Sequence, residues 1–261
     1  MALIQCNFYS DVLMMSTSMS VILPQQTLTQ IGMSSQRKEQ KLHPTLFLLH
    51  GFSDDETTWV RRTSIERYAA NLGLAIVMPN VHHSFYSDMV YGNRYWTFLS
   101  EELPAIARSF FPLSDDREDN FVAGLSMGGY GAFKWALRHP ERFAAAASLS
   151  GALDMVSFIK GQANEGAFKR VFELIYGDAD ITGTEDDLLW LLKRGDYSKE
   201  LAPKFYQCCG TDDFLYQDNL SFRDASKQTG LDLLYDEGPG NHSWDYWDAK
   251  IQDVLKWLPI R

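Results

Sequence analysis

The run Val122-Ala123-Gly124-Leu125-Ser126-Met127-Gly128-Gly129-Tyr130-Gly131 constrains this chain more than any other stretch. Glycines two residues before and two after a serine are the pattern of a strand that turns sharply into a helix with the serine at the bend. Side chains at 124 and 128 would collide in so tight a turn. The bend holds the serine in a strained conformation that lifts its hydroxyl above the end of the sheet. Asp119 to Ala123 reads as the short buried strand before the turn, and Gly129 to Arg138 as the helix after it, ended by His139-Pro140. Ser126 is therefore a candidate nucleophile. The same glycines would also serve a turn with no chemistry in it, so the assignment depends on finding a base, an acid to orient it, and donors for an oxyanion.

Hydrophobic patterning gives the frame around this turn. Phe8 to Leu23 reads as two antiparallel strands in an edge hairpin, followed by a polar break at Ser34 to Gln40. Thr45 to Leu49 is a continuous apolar run, as expected of a central strand covered on both faces. Helical and strand patterns then alternate: helix at Ser64 to Asn71, strand at Leu74 to Met78, amphipathic helix at Trp96 to Phe110. After the serine turn come strands at Ala144 to Leu149, Lys204 to Cys209 and Leu231 to Tyr235, and a last helix at Trp244 to Leu258. This alternation predicts an α/β fold with a mostly parallel sheet, helices on both faces and the function at the C-terminal ends of the strands. With 261 residues, 45% of them apolar, the chain suits one large domain. Asp154 to Leu201 is too long for a plain crossover. It reads as a helical insertion that either covers the site or packs peripherally.

Composition excludes several partners. The net charge is −10 and no long Lys/Arg cluster occurs, so neither nucleic acid nor an anionic membrane surface is expected as a partner. No apolar stretch approaches the roughly 20 residues that span a bilayer, and Met1 to Pro24 lacks a basic start before an apolar run. The expectation is a soluble cytoplasmic protein. Its three cysteines, Cys6, Cys208 and Cys209, have neither disulfide-framework nor CxxC spacing, and Cys208-Cys209, in an apolar run, reads as buried filler. Asp178, Asp180 and Thr182-Gly183 imitate the start of a calcium loop, but Leu189 stands where a bidentate Glu should close it. No metal and no cofactor is expected.

A serine hydroxyl needs a base within hydrogen-bond reach. Of His43, His50, His82, His83, His139 and His242, the last lies in Gly238-Pro239-Gly240-Asn241-His242-Ser243-Trp244, between the last strand and the last helix. A base belongs there in the chain order serine, acid, histidine. His82 and His83 follow a strand end and are the second choice. His139 reads as a helix cap, and His43 precedes a strand at the wrong end of the sheet. The acid should follow a strand between Ser126 and His242, which points to Asp212-Asp213; spacing leaves both open. Oxyanion donors should be the backbone amides of Met127 and, after the His50-Gly51 turn, Phe52.

With those parts assembled, the chain resembles the esterase D-like branch of the α/β-hydrolases, particularly bacterial tributyrin esterases, which are related to S-formylglutathione hydrolases. The resemblance rests on Phe8 to Leu13, Leu48-Leu49-His50-Gly51, Val77-Met78-Pro79-Asn80, Glu101-Glu102-Leu103-Pro104, Gly124 to Ala132, Ser148 to Leu153, Asp213-Phe214-Leu215-Tyr216, and His242, Trp244 and Tyr246-Trp247. These run in order through nearly the whole chain. The resemblance implies an α/β-hydrolase fold with Ser126 as nucleophile, Asp213 rather than Asp212 as acid, His242 as base, and Phe52 and Met127 as oxyanion donors. It implies a carboxylesterase for short-chain acyl esters such as acetyl or butyryl esters, including acetylated or feruloylated sugars, with no cofactor and a dimer or tetramer as assembly. S-formylglutathione hydrolysis is the alternative, followed by acyl transfer and by a non-catalytic binding module. Among the aromatics expected at the mouth, which include Phe85 and Tyr86, the candidates for substrate contact are Trp59, Tyr91, Trp244 and Trp247. The chain departs most from the family at Asp154 to Leu201.

Overall fold

A computed structural model describes residues 1–27, 29–31, 42–161, 166–195, 197 and 202–261. The strands are β1 (Ala2–Ser10), β2 (Met15–Leu23), β3 (Thr45–Leu49), β4 (Ala75–Pro79), β5 (Asn120–Leu125), β6 (Ala145–Leu149), β7 (Lys204–Gly210) and β8 (Leu233–Gly238). They form one sheet in the order β1-β2-β4-β3-β5-β6-β7-β8. The first two pair as an antiparallel hairpin from Ala2 opposite Leu23 to Ser10 opposite Met15, and β2 joins β4 antiparallel. The remaining strands are parallel. The protein thus has the α/β-hydrolase fold: a mostly parallel sheet with an antiparallel hairpin at one edge.

The continuous apolar runs of β3 to β6 follow from burial on both faces. Successive side chains point to opposite faces of the sheet. Phe47, Leu49, Val77, Val122 and Phe205 enter one apolar layer, and Leu46, Leu48, Ile76, Ala123 and Leu125 the other. Helices α1 (Thr58–Arg62), α2 (Ile65–Ala69) and, at the end of the chain, Trp244–Trp257 cover the second layer. The first layer is covered by α3 (Tyr95–Thr97), α4 (Leu103–Phe110), α5 (Met127–Arg138), α6 (Met155–Gly161), α7 (Gly166–Tyr176), α8 (Leu188–Arg194) and α9 (Tyr216–Ser226), the Trp244–Trp257 helix being α10. From β3 the chain moves toward β4 and from β5 toward β6. The crevice between the C-terminal ends of β3 and β5 is therefore a topological switch point, where open α/β sheets bind ligands.

The polar break at Ser34 to Gln40 lies outside the described residues, as do 162–165, 196 and 198–201 of the segment from Asp154 to Leu201. The described part of that segment forms α6, α7 and α8, whose Phe158, Phe172, Ile175, Leu188 and Leu192 join the first apolar layer. Cys208 and Cys209 are buried in β7. Among the described residues no helix is long and apolar enough to cross a membrane.

Two expectations need correction. The last strand starts at Leu233 rather than Leu231. The amphipathic helix expected over Trp96 to Phe110 is broken into α3, a π-helical turn at Phe98–Glu102, and α4. Pro104 is the reason: it has no N–H to give the Ser100 carbonyl, and the Arg142 guanidinium takes that acceptor instead. The turn also aims Glu102 at the hairpin, where its carboxylate accepts from the Ser10 hydroxyl and from the amides of Asp11 at 2.8 Å and Val12 at 3.2 Å. One carboxylate thus satisfies the donors of the β1–β2 connection. Glu102→Ala is expected to cost about 1–3 kcal/mol of unfolding free energy, seen as a lower urea midpoint with an unchanged slope.

Candidate active site

The turn between β5 and α5 places the candidate nucleophile. Ser126 sits at φ 53° and ψ −119°, a conformation L-residues rarely adopt. It is enforced by close backbone packing. A Cβ on Gly124 would lie 2.3 Å from the Gly128 carbonyl oxygen, and one on Gly128 would lie 2.5 Å from that of Leu49. The Ser126 amide donates to Leu149 O at 2.9 Å, tying the bend to the neighbouring strand.

Two further loops converge on it. The ends of β7 and β8 are laced by Thr211 N to Gly238 O and Asp212 N to Gly240 O, both at 2.9 Å, which sets Asp213 beside the loop carrying His242. His242 Nε2 lies 2.9 Å from Ser126 Oγ, and His242 Nδ1 lies 3.0 and 2.9 Å from the two Asp213 carboxylate oxygens. A carboxylate can only accept, so the ring proton belongs on Nδ1 and Nε2 is left to accept the serine hydroxyl. The Asp213 side chain is fully buried and also accepts from the Leu215 amide at 2.9 Å, whereas Asp212 is exposed. The imidazole is held between Phe214, with ring centroids 4.5 Å apart, and Trp247, edge-on at 4.8 Å.

Phe52 follows β3, and Met127 is the first residue of α5. Among the described residues neither backbone amide is bonded to an acceptor. The Met127 amide also lies at the positive end of the α5 dipole. Next to them opens a cleft of about 450 Å³ lined by Gly51, Phe52, Ser53, Asp54, Leu125, Ser126, Phe168, Phe214, His242, Ser243, Trp244 and Trp247.

Of the aromatic candidates, Trp244 and Trp247 line this cleft and Trp59 and Tyr91 do not. Trp59 is buried beneath Trp244, edge-on at 5.2 Å, with its Nε1 donating to Leu49 O at 3.0 Å. Tyr91 is 67% exposed, its amide bonded to Leu174 O. Trp59 stands in α1 and Tyr91 on a loop, and sequence alone does not show which way such a side chain turns. Phe168 and Asp54 were missed. Phe168 reaches the cleft from α7, its ring 5.1 Å from that of Phe52; helical periodicity marks a buried face without naming its neighbour. The other histidines lie elsewhere: His83 is exposed and stacked on Phe52, His82 is edge-on to Tyr95, His139 ends α5, and His43 precedes β3.

A family model described as "Putative esterase" matches residues 13–258. The chain belongs to this esterase family. It is 32% identical to an acetyl esterase of Caldicellulosiruptor saccharolyticus over 99% of this chain and 98% of that protein. The structure of FphF, a fluorophosphonate-binding serine hydrolase of Staphylococcus aureus, superposes with a TM-score of 0.87 at 39% identity, covering 98% of each chain. The S-formylglutathione hydrolase FrmB of the same organism superposes with a TM-score of 0.84, again at 39% identity and 98% of each chain.

Behind the cleft the esterase buries two basic side chains in opposite ways. His50 donates from Nδ1 to Gly51 O at 2.7 Å and accepts the Val81 amide at Nε2 at 3.1 Å, a pairing that requires the neutral ring. Burial pushes its pKa down to about 4. Lys134, 1% exposed, stays paired: its Nζ donates to Tyr86 O and Ser87 Oγ, each at 2.9 Å, and forms an ion pair with Asp186. The Tyr86 hydroxyl in turn donates to His50 O at 2.8 Å. A chain of bonds therefore runs from the 154–201 segment, through residues 85 and 86 at φ 47° and 52°, to the base of the loop carrying Phe52.

The unfolded chain protonates a histidine near pH 6.5, while folded His50 resists protonation until about pH 4. Its contribution to stability is therefore complete above pH 6.5 and lost as pH falls toward 4, by about 3 kcal/mol in total. Urea titrations across this range should show the loss, and His50→Gln should flatten it. An equal slope in the variant would remove His50 as the cause.

Proposed function

We propose that this esterase is a serine carboxylesterase acting on short-chain acyl esters through Ser126, His242 and Asp213. The observation that carries the reading is the His242 ring, bonded on one side to the Ser126 hydroxyl and on the other to a buried carboxylate. In this mechanism Ser126 Oγ attacks the ester carbonyl carbon while His242 Nε2 takes its proton, and Asp213 stabilises the imidazolium through Nδ1–H. The carbonyl oxygen becomes an oxyanion held by the Phe52 and Met127 amides, each such donor being worth about 10²–10³ in rate. The intermediate collapses, the C–O bond to the alcohol breaks, and His242 returns the proton to the departing oxygen. Water, deprotonated by His242, then attacks the acyl-enzyme; the acid leaves and Ser126 regains its proton.

Several features support short acyl groups. Phe52, Phe168, Phe214, Trp244 and Trp247 wall the cleft closely around Ser126, and a relative spanning the full chain is an acetyl esterase. Under this reading the helices between β6 and β7 form one side of the acyl site, because Phe168 of α7 is part of that wall. Thioester hydrolysis is the second reading, favoured by likeness to an S-formylglutathione hydrolase. Glutathione carries two carboxylates, and among the described residues the cleft lining includes no Lys or Arg to meet them. The oxygen ester is the better fit.

The test is initial-rate hydrolysis of p-nitrophenyl acetate, butyrate and octanoate beside S-formylglutathione. The acetate and butyrate should be cleaved fastest, and Ser126→Ala should abolish turnover. Asp213→Asn should lower kcat by about 10³–10⁴, whereas Asp212→Asn should change it less than about twofold. Equal losses at the two aspartates, or activity that survives Ser126→Ala, would contradict the assignment.

A further inference from the structure

Three carboxylates follow one another after the candidate oxyanion loop, and two of them have structural work. Asp55 accepts from the Thr57 amide and hydroxyl, from the Thr58 hydroxyl and from Arg61, which closes the first turn of α1. These bonds hold its carboxyl low, at about 2, against the opposing effect of burial. Glu56 accepts from Ser18 Oγ at 2.6 Å, joining the loop to β2. Asp54 differs. Its side chain lines the cleft, half-buried, with no ion-pair partner within 4 Å among the described residues. Its carboxylate is served by a hydrogen bond from the Gly51 backbone, which a neutral amide in its place would accept equally well. Burial raises its carboxyl above the ordinary carboxylate range, and no ion pair among the described residues offsets this.

The position of that charge matters. Asp54 Oδ2 and Ser126 Cβ lie 3.0 and 3.7 Å from the point that a Cβ on Gly51 would occupy, so the carboxylate is within one small substrate's length of the candidate nucleophile. Among the described residues the other cleft-lining side chains, His242 apart, are aromatic, aliphatic or hydroxyl-bearing. Arg61 is engaged by Asp55 and Arg62 is exposed; both favour the Asp54 charge from beyond ion-pair distance. A lone carboxylate among aromatic walls and low-polarity packing keeps much of its field.

We propose that Asp54 sets the charge selectivity of the cleft, admitting esters of cationic or neutral hydroxyl-bearing alcohols and rejecting esters whose alcohol portion is anionic. This rests on Ser126 being the nucleophile. It gives a role in the cleft to a residue outside the hydrogen-bonded line of Ser126, His242 and Asp213. A cation near Asp54 gains and an anion loses by Coulomb interaction, so the two differ by about tenfold or more in kcat/KM even with substantial solvent screening.

The test uses three acetate esters on one ring: meta-acetoxy-N,N,N-trimethylanilinium, meta-tolyl acetate and meta-acetoxybenzoate. They are compared at one pH, about 8, above the ordinary ranges of free carboxylates and imidazoles. The readout is the cation-over-anion ratio of kcat/KM, which is internal to each protein and insensitive to a general loss of activity. In Asp54→Asn this ratio should fall by about tenfold, mostly through KM, and in wild type it should shrink with added salt. Asp54→Ser is the second variant should the first not fold. Asp115→Asn, an exposed site away from the cleft, changes net charge equally and should leave the ratio within about twofold. A ratio that moves less than twofold in the Asp54 variants, or falls as far in Asp115→Asn, overturns the proposal. Failure of wild type to cleave the neutral tolyl ester would instead contradict the esterase mechanism itself.

Discussion

The rest of the structure depends on one close approach: Gly128, in the first turn of α5, lies against the carbonyls of Leu49 and His50 at the end of β3, with no room for a side chain on either glycine of the bend. That contact forces Ser126 to φ 53° and aims α5 back along the sheet. It also brings the start of α5 beside the loop that follows β3, so the Met127 and Phe52 amides come from two segments far apart in sequence. The sheet order makes this possible, because β3 and β5 are neighbours from which the chain departs in opposite directions. The strain at Ser126 persists because strand pairing, helix start and glycine packing all fix it together.

Charge placement behind the cleft follows the same economy. His50 is buried neutral because both ring nitrogens are committed to backbone groups, while Lys134 keeps its charge only by meeting Asp186 and two oxygens. Behind Asp213, burial and the nearby charges of Asp154 and Asp213 push the Asp218 carboxyl up to about 7.

Much of the fold was legible because the signals were local and periodic. Continuous apolar runs marked β3 to β6, and the glycine spacing marked the turn at Ser126. What failed or stayed open needed contacts distant in sequence. Pro104 was visible, but the π turn depends on Arg142 taking the Ser100 carbonyl. Asp212 and Asp213 are adjacent just after β7, and only the tertiary structure buries one and exposes the other. Trp59, in α1, and Tyr91, on a loop, follow the right strands but do not line the cleft, and Phe168 enters it from a helix whose amphipathic pattern was equally compatible with peripheral packing. Asp54 was unremarkable in sequence because the adjacent Asp55 and Glu56 look the same; their bonds to Thr57, Thr58, Arg61 and Ser18 set it apart.

The central claim is that Ser126 carries an activated hydroxyl that is acylated during turnover. It is tested most directly by treating the enzyme with a fluorophosphonate and locating the adduct by peptide mass spectrometry. The account expects one phosphonyl group per chain, on the peptide containing Ser126, with activity lost in proportion to labelling and protection by a short-chain ester. An adduct on another residue, or an active enzyme that stays unlabelled, would contradict it.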